Sequence, residues 1–278
     1  MIEPAKSPLL TLSDGNVIPQ VGLGVYKVEN EIAGPLVSKA LQVGYRLIDT
    51  ASMYLNESGV GQGIVDSGVP REEIFVATKF WMDDLGYSNT LRAFEKSLGL
   101  LGLEYLDFYL IHWPAPKRGL LYVESWLAME RLKNEGLVRS IGVSNFHSHH
   151  LDQILKVAEH TPVLNQVELH PLLTQESLMS YHASHSILTQ AWSPLARGQI
   201  LSNELVNSIA KIHNRSASQI VLRWHIQRGV SVIPKSTSRE RIIENMNVFD
   251  FVLTSDEMNA ISALNVNYRT GVDPEDRN

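Results

Sequence analysis

The sequence predicts an α/β protein of the (β/α)8 barrel type, with an N-terminal β-hairpin closing the barrel floor. Three observations predict it: strand and helix signals alternate eight times, no dinucleotide fingerprint is present, and no linker or low-complexity stretch divides the chain. The apolar runs fall at 21–24, 46–49, 74–77, 108–111, 140–143, 164–167, 187–191 and 230–233. Each is strand-length and lacks strict alternation, as expected of parallel strands covered on both faces. The segments between them have helical spacing. Leu91, Phe94 and Leu98 recur on one face with charges between them. Helix starts are marked by capping-box pairs, Ser216 with Gln219, Thr237 with Glu240 and Thr254 with Glu257. Pro70 opens a turn before Arg71, and the eighth run leads into a capped helix expected from Arg239 to about Val248. Before the first strand, Leu9 to Pro19, centred on Ser13-Asp14-Gly15-Asn16, reads as the hairpin.

The competing fold is a doubly wound open sheet. Its fingerprint fails here, because Lys27 stands where the third glycine after Gly22 and Gly24 belongs, and Ile64 does so after Gly59 and Gly61. Residues 1–278 therefore read as a single barrel domain.

Composition narrows the chemistry. The 278 residues include no cysteine, which excludes disulfides, thiolate metal sites and a cysteine nucleophile. A formal charge of −6 argues against nucleic-acid and anionic-membrane partners. No apolar run reaches the roughly 20 residues of a membrane helix, and the start, MIEPAKSPLL, has no signal-peptide pattern. A cytoplasmic monomer is expected.

In such barrels, function gathers where strands end. Asp49, Lys79, His112 with Trp113, Ser144 with Asn145, Gln166, Trp192 with Ser193, and Lys235 with Ser236 all fall there. Taken singly, each has a plainer explanation. Asp49 and Lys79 could form a structural ion pair, Tyr54 a half-buried aromatic and His112 a core histidine. Together they describe one polar-lined pocket. A buried Lys beside a buried Asp is a compensated pair, and an ammonium near the Tyr54 hydroxyl is expected to lower the phenol's pKa. A neutral His112 could orient a carbonyl oxygen. This set suits carbonyl reduction, with an organic carrier as hydride source in the absence of cysteine and metal clusters. After the eighth run, Lys235, Ser236 and Arg241 around a helix start form a phosphate-binding arrangement, with Asn245 one turn beyond Arg241. His147, His149 and His150 lack metal-ligand partner spacing and read as a solvated helix start.

The order of three motifs carries a resemblance. They are Gly44-Tyr45-Arg46-Leu47-Ile48-Asp49-Thr50-Ala51 with Tyr54, Asn56-Glu57 and Val60-Gly61; Leu137 to Phe146 (LVRSIGVSNF); and Ile233 to Asn245 (IPKSTSRERIIEN). From about Val21 to Leu264 the chain resembles the aldo-keto reductase family. The resemblance implies an NADP-dependent oxidoreductase that reduces aldehydes and ketones with NADPH, without a Rossmann domain. Tyr54 would be the general acid, tuned by Lys79 and Asp49, with His112 orienting the carbonyl. Ser144, Asn145 and Gln166 would hold the nicotinamide carboxamide, and Trp192 would stack on the ring. Ser193, Leu195 and Gly198 would line the pyrophosphate; Lys235, Ser236, Thr237 and Arg241 would surround the 2′-phosphate; Glu244 and Asn245 would meet the adenine. Gly22 and Asp49 complete the expected cofactor set, and Tyr26, Trp81, His112 and Trp113 the substrate walls for a small-molecule carbonyl, polar or α-dicarbonyl.

Leu55 stands where the family commonly has Gly, and Trp192 where Tyr is more frequent. The short loop after His112 and the brief tail after Leu264 resemble the bacterial diketo-gluconate reductase branch, and imply an open pocket. Two other readings use the same residues. One is an NADPH-binding sensor with little turnover, which would not need the Tyr54 acid. The other is an aldolase-type barrel using Lys79 as a Schiff base.

Overall fold

The computed structural model describes residues 7–278; the first residues, on which the signal-peptide reading rests, lie outside the described residues. β1 (Leu9–Thr11) and β2 (Val17–Pro19) form the expected antiparallel hairpin, paired Leu10 to Ile18. The barrel then alternates strand and helix as far as β9. It runs β3 (Leu23–Gly24), α1 (Asn30–Gln42), β4 (Leu47–Asp49), α2 (Glu57–Ser67), β5 (Phe75–Phe80) and α3 (Tyr87–Leu101). It continues with β6 (Leu106–Ile111), α4 (Leu121–Asn134), β7 (Val138–Ser144), α5 (Ser148–Leu155), β8 (Leu164–Glu168) and α6 (Glu176–Ser184). β9 (Leu188–Trp192) is followed by two helices, α7 (Glu204–His213) and α8 (Ala217–Gln227), before β10 (Ser231–Val232), α9 (Arg239–Met246) and α10 (Ser255–Ser262).

The strands pair in parallel in chain order from β3 to β10. A parallel bridge between Val21 and Val232 closes the ring, with Gly22 N donating to Val232 O at 2.8 Å. Inside the lower barrel, Leu47, Ala77, Phe108, Leu110 and Leu164 pack with Leu12 and Ile18 of the hairpin. The hairpin tip is tied to the end of α4 and the start of β7, from which Lys133 Nζ and Ser140 Oγ each donate to Asp14 Oδ2 at 2.8 Å. The floor is thus closed by apolar contact and fastened at its rim.

Local signals explain most element ends. Ser216 and Thr254 cap α8 and α10 as full capping boxes. α9 departs by one residue: its cap is Ser238, whose Oγ accepts from Arg241 N, rather than Thr237. Between α1 and α2 the packing is close enough to require glycine. A Cβ on Gly59 would lie 2.2 Å from Asn30 O, and one on Gly63 2.4 Å from Gly34 O. The loops at the top of these helices are pinned as well, since Asn56 Nδ2 donates to Val25 O and Val28 O, both at 2.9 Å.

Candidate active site

The carboxyl ends of the strands surround a cavity of about 430 Å³. Of the residues expected at the site, it is lined by Tyr26, Asp49, Tyr54, Trp81, His112, Trp113, Ser144, Asn145, Gln166, Trp192, Ser193 and Lys235. Lys79 lies beneath this surface, inside β5 and fully buried, so it does not line the cavity. That position disfavours a Schiff-base role, which requires the amine to meet substrate.

A buried network orders the floor of the cavity. Lys79 Nζ donates to Asp49 Oδ1 at 2.7 Å and to Thr50 O at 2.8 Å. Asp49 Oδ2 accepts from Gln166 Nε2 at 2.7 Å, and the same nitrogen donates to Gln190 Oε1. Each charge therefore has a partner, as buried charges require. Burial still pushes the Lys79 ammonium below the usual lysine range, against the pull of Asp49.

Tyr54 sits on the short helical turn after β4, its ring 5.0 Å from Tyr26 and 5.7 Å from His112 between centroids. Lys79 Nζ lies 5.2 Å from the Tyr54 ring centroid, and none of its hydrogen bonds among the described residues goes to the phenol. The lowered phenol pKa expected from the sequence is not found. Burial pushes the Tyr54 phenol well above its usual range, and the Asp49 carboxylate and Tyr26 add to this. The physical reason is that burial of the phenol is the largest cause and outweighs the pull of an ammonium already hydrogen-bonded to Asp49 and Thr50. His112 meets the expectation. Burial, then the charges of Lys79 and Arg277, hold the imidazole neutral far below the usual histidine range. Its Nδ1 is buried and has no hydrogen-bond partner among the described residues.

The polar groups after β7 are already engaged. Asn145, in the left-handed region at φ 64°, donates from Nδ2 to His112 O at 3.0 Å and to Ser144 Oγ at 3.1 Å. Its Oδ1 accepts from Trp192 Nε1 at 2.8 Å, which fixes the indole. Ser144 Oγ donates to Gln166 O. Gln166 Oε1, by contrast, has no hydrogen bond among the described residues. β8 runs two residues beyond Gln166, to Glu168, farther than the sequence run suggested.

Other expected residues lie away from the cavity lining. Gly22 packs against Leu47, where a Cβ would come within 2.6 Å, and Gly24 reaches the cavity instead. Leu195 and Gly198 belong to the irregular turn after β9, where Ala196, Arg197 and Gly198 all have positive φ. Ser236 is buried and Thr237 and Arg241 are exposed around the start of α9. Glu244 accepts a hydrogen bond from Ser216 Oγ, tying α9 to α8, and Asn245 is buried on the same helix.

The structure adds residues the sequence reading missed: Arg197, and the tail residues Thr270, Gly271, Val272 and Arg277, all of which line the cavity. The tail is not the open end expected from its brevity. It crosses the rim as a strap, because Thr270 N and Gly271 N donate to Glu168 and Asp273 pairs with His147 at 3.2 Å. Gly271 passes so near Trp192 that a Cβ would sit 2.6 Å from the indole. That glycine was the one available signal, and in a polar tail it reads as an ordinary turn.

The histidine cluster is also less solvated than expected. His150 is buried, and His149 Nε2 lies 2.9 Å from Glu275 of the strap. Ligand atoms of His149, His150 and Glu275 lie within 4.8 Å of one another. However, His150 Nδ1 accepts from His147 N at 3.2 Å, and its Nε2, 3.3 Å from Glu275 Oε1, makes no hydrogen bond among the described residues. The group works as a latch for the strap.

With the geometry in place, comparison with known proteins fits it. Residues 20–266 match the model of the aldo/keto reductase family. The chain is 51% identical to a glyoxal reductase of Bacillus subtilis, covering 95% of each protein. It is 47% identical to the methylglyoxal reductase DkgA of Yersinia pestis, covering 96% of each. A solved structure of a mutant of Gox0644 in complex with NADPH matches with a TM-score of 0.93 at 45% identity, over 97% of this chain and 98% of that one. These names support the family and do not reach the narrower diketo-gluconate branch. The chain belongs to the aldo/keto reductase family.

Proposed function

We propose that the protein is an NADPH-dependent reductase of aldehydes and ketones, favouring small polar or α-dicarbonyl substrates, with Tyr54 as general acid. The observation that carries this reading is the meeting of Tyr54 and a neutral His112 in one cavity above the Lys79–Asp49 pair. Relatives whose names state glyoxal and methylglyoxal reduction, and a neighbour solved with NADPH, support it.

The residues present suit the dinucleotide. Gln166 Oε1 is an acceptor without a partner among the described residues, suited to a carboxamide N–H. Ser144 and Asn145 frame it, and Trp192, held by Asn145, offers a ring face. Ser193, Leu195 and Gly198 would border the pyrophosphate, with Gly24 rather than Gly22 at the cavity edge. Lys235, Ser236, Thr237 and Arg241 would take the 2′-phosphate, and Glu244 and Asn245 would flank the adenine. When bound, the reduced nicotinamide supplies a hydride to the substrate carbon.

Tyr54 donates its proton to the carbonyl oxygen. A phenol whose pKa is raised stays protonated across the neutral range, so the acid is always loaded. Lys79 then stabilises the phenolate left behind, and Asp49 holds Lys79 charged in its buried position. Neutral His112 orients the carbonyl oxygen by hydrogen bonding, and Tyr26, Trp81 and Trp113 exclude water. Each of these groups belongs to one chain, so a monomer suffices. Among the described residues no helix is long and apolar enough to cross a membrane, and we place the enzyme in the cytoplasm.

Mixing the protein with NADPH and methylglyoxal or phenylglyoxal should consume NADPH absorbance. Tyr54→Phe should lower kcat by about 10²–10⁴-fold while NADPH still quenches tryptophan fluorescence. Full activity in that variant would overturn the role of the phenol. Tight NADPH binding with no carbonyl turned over would favour the sensor reading.

A further inference from the structure

Arg277, the penultimate residue, is a charged group of the cavity that the carbonyl-reduction chemistry leaves unused. Its guanidinium carbon lies 5.1 Å from the Trp81 ring centroid and 5.7 Å from that of Trp113. Among the described residues it makes no ion pair, and its Nε is buried without a hydrogen-bond partner. The cavity's carboxylate, Asp49, is committed to Lys79 and Gln166. Of the strap's own carboxylates, Asp273 pairs with His147 and Arg269 and Glu275 with His149, and Asp276 makes no ion pair with Arg277. A guanidinium held partly out of water without an anion is costly, and stacking on two indoles offsets only part of that cost.

The position of this cation is built rather than incidental. The strap is fastened at Glu168 through Thr270 and Gly271, at α5 through Asp273 and Glu275, and at its end by Lys117 N donating to Asn278 Oδ1 at 2.6 Å. These anchors deliver Arg277 to the wall that also carries His112, whose ring lies 5.1 Å from Trp81 on its own account. Imidazole and guanidinium therefore share Trp81 as a neighbour. A carbonyl oxygen at His112 and an anionic group at Arg277 are within the span of one small molecule.

We propose that Arg277 is a specificity-determining residue that receives a carboxylate on the substrate, making aldehydes and ketones bearing a carboxylate the favoured class. The proposal rests on the carbonyl-reductase reading above. A planar fork of N–H donors matches a carboxylate in two parallel hydrogen bonds, and the surrounding indoles strengthen them by keeping water away. Lysine would keep the charge and lose the fork.

The test compares 4-carboxybenzaldehyde with the neutral isostere 4-formylbenzamide, in the unsubstituted enzyme and in Arg277→Gln and Arg277→Lys. The unsubstituted enzyme should prefer the carboxylate in kcat/KM, mainly through KM. Arg277→Gln should reduce that preference by about ten- to hundredfold, and Arg277→Lys should restore part of it. An unchanged preference, or an equal loss on both aldehydes, would overturn the proposal and leave Arg277 a packing residue. A second measurement is independent of turnover: titration of tryptophan fluorescence with terephthalate against terephthalamide, in the presence of NADPH. Tighter terephthalate binding that disappears in Arg277→Gln supports the carboxylate site even if neither aldehyde is reduced, a result that would count against the reductase reading alone. Equal binding of the two ligands rejects the site.

Discussion

The two ends of the barrel are built on opposite rules. At the amino-terminal floor, Phe108, Leu47 and Leu164 fill the interior, and the hairpin's polar tip is paired with Lys133 and Ser140. At the carboxyl rim, a neutral histidine whose Nδ1 and an arginine whose Nε have no hydrogen-bond partner among the described residues line one cavity, with a buried ion pair at its base. A floor packed with apolar side chains and with its hairpin tip paired contributes stability. A rim that keeps donors and acceptors unpaired holds them ready for a ligand, at a cost in stability. The difference teaches that polar groups in this fold are informative by their lack of partners, more than by their presence.

Lys79→Met should produce the largest effect and test the rim. It leaves Asp49 buried without its counter-ion, which costs about 3–5 kcal/mol, and should also remove turnover. Adding Asp49→Asn should recover much of the stability, read as Tm, without restoring activity. If turnover returned with stability, the pair would be structural and the contrast between the ends would fail. Phe108→Ala tests the floor. It should cost about 3–5 kcal/mol through cavity formation while KM and kcat of the folded fraction stay near their original values. Altered kinetics there would show that the floor is coupled to the chemistry.

Acid sensitivity should come from neutral histidines at both ends. Burial depresses His112 far below the ordinary 6.5, His182 to about 4, and His150 and His225 to about 3. The unfolded chain takes up these protons below pH 6.5 while the folded chain does not. Their contribution is therefore complete above 6.5 and is lost as pH falls toward 3–4. Each costs about 1.4 kcal/mol per pH unit across that window. Glu57 and Asp107, raised by burial, oppose the trend lower in the range. Urea midpoints at pH 7, 6 and 5 would measure the slope, and His182→Gln, which removes one titrating group away from the cavity, should flatten it.

How much of this was legible in the sequence depends on whether the signal was local. The eight runs, the hairpin and the caps at Ser216 and Thr254 are local patterns, and the structure reproduces them. The convergence of Asp49, Tyr54, His112 and Gln166 followed from one rule about strand ends. The Tyr54 pKa was misjudged because its direction depends on the balance between burial and Asp49, which no spacing encodes. The strap was missed for a similar reason. Its anchors, Glu168, His147 and His149, are more than 100 residues distant, and Arg277 belongs to no periodic element.

The smallest predicted effect concerns the start of α9, where sequence and structure disagree by one residue. Thr237 with Glu240 has capping-box spacing, yet Ser238 Oγ is the atom that accepts from Arg241 N, and Glu240 accepts from that same hydroxyl. Ser238→Ala should therefore cost about 1 kcal/mol, whereas exposed Thr237→Ala should stay within about 0.5 kcal/mol. Because Arg241 occupies the first turn of this helix, fraying at the cap should also weaken NADPH more than NADH, whose ribose lacks the 2′-phosphate. Titrating both cofactors into both variants by tryptophan quenching separates the two effects. A loss shared equally by NADPH and NADH would place the role of α9 in folding, on the side of the floor rather than the rim.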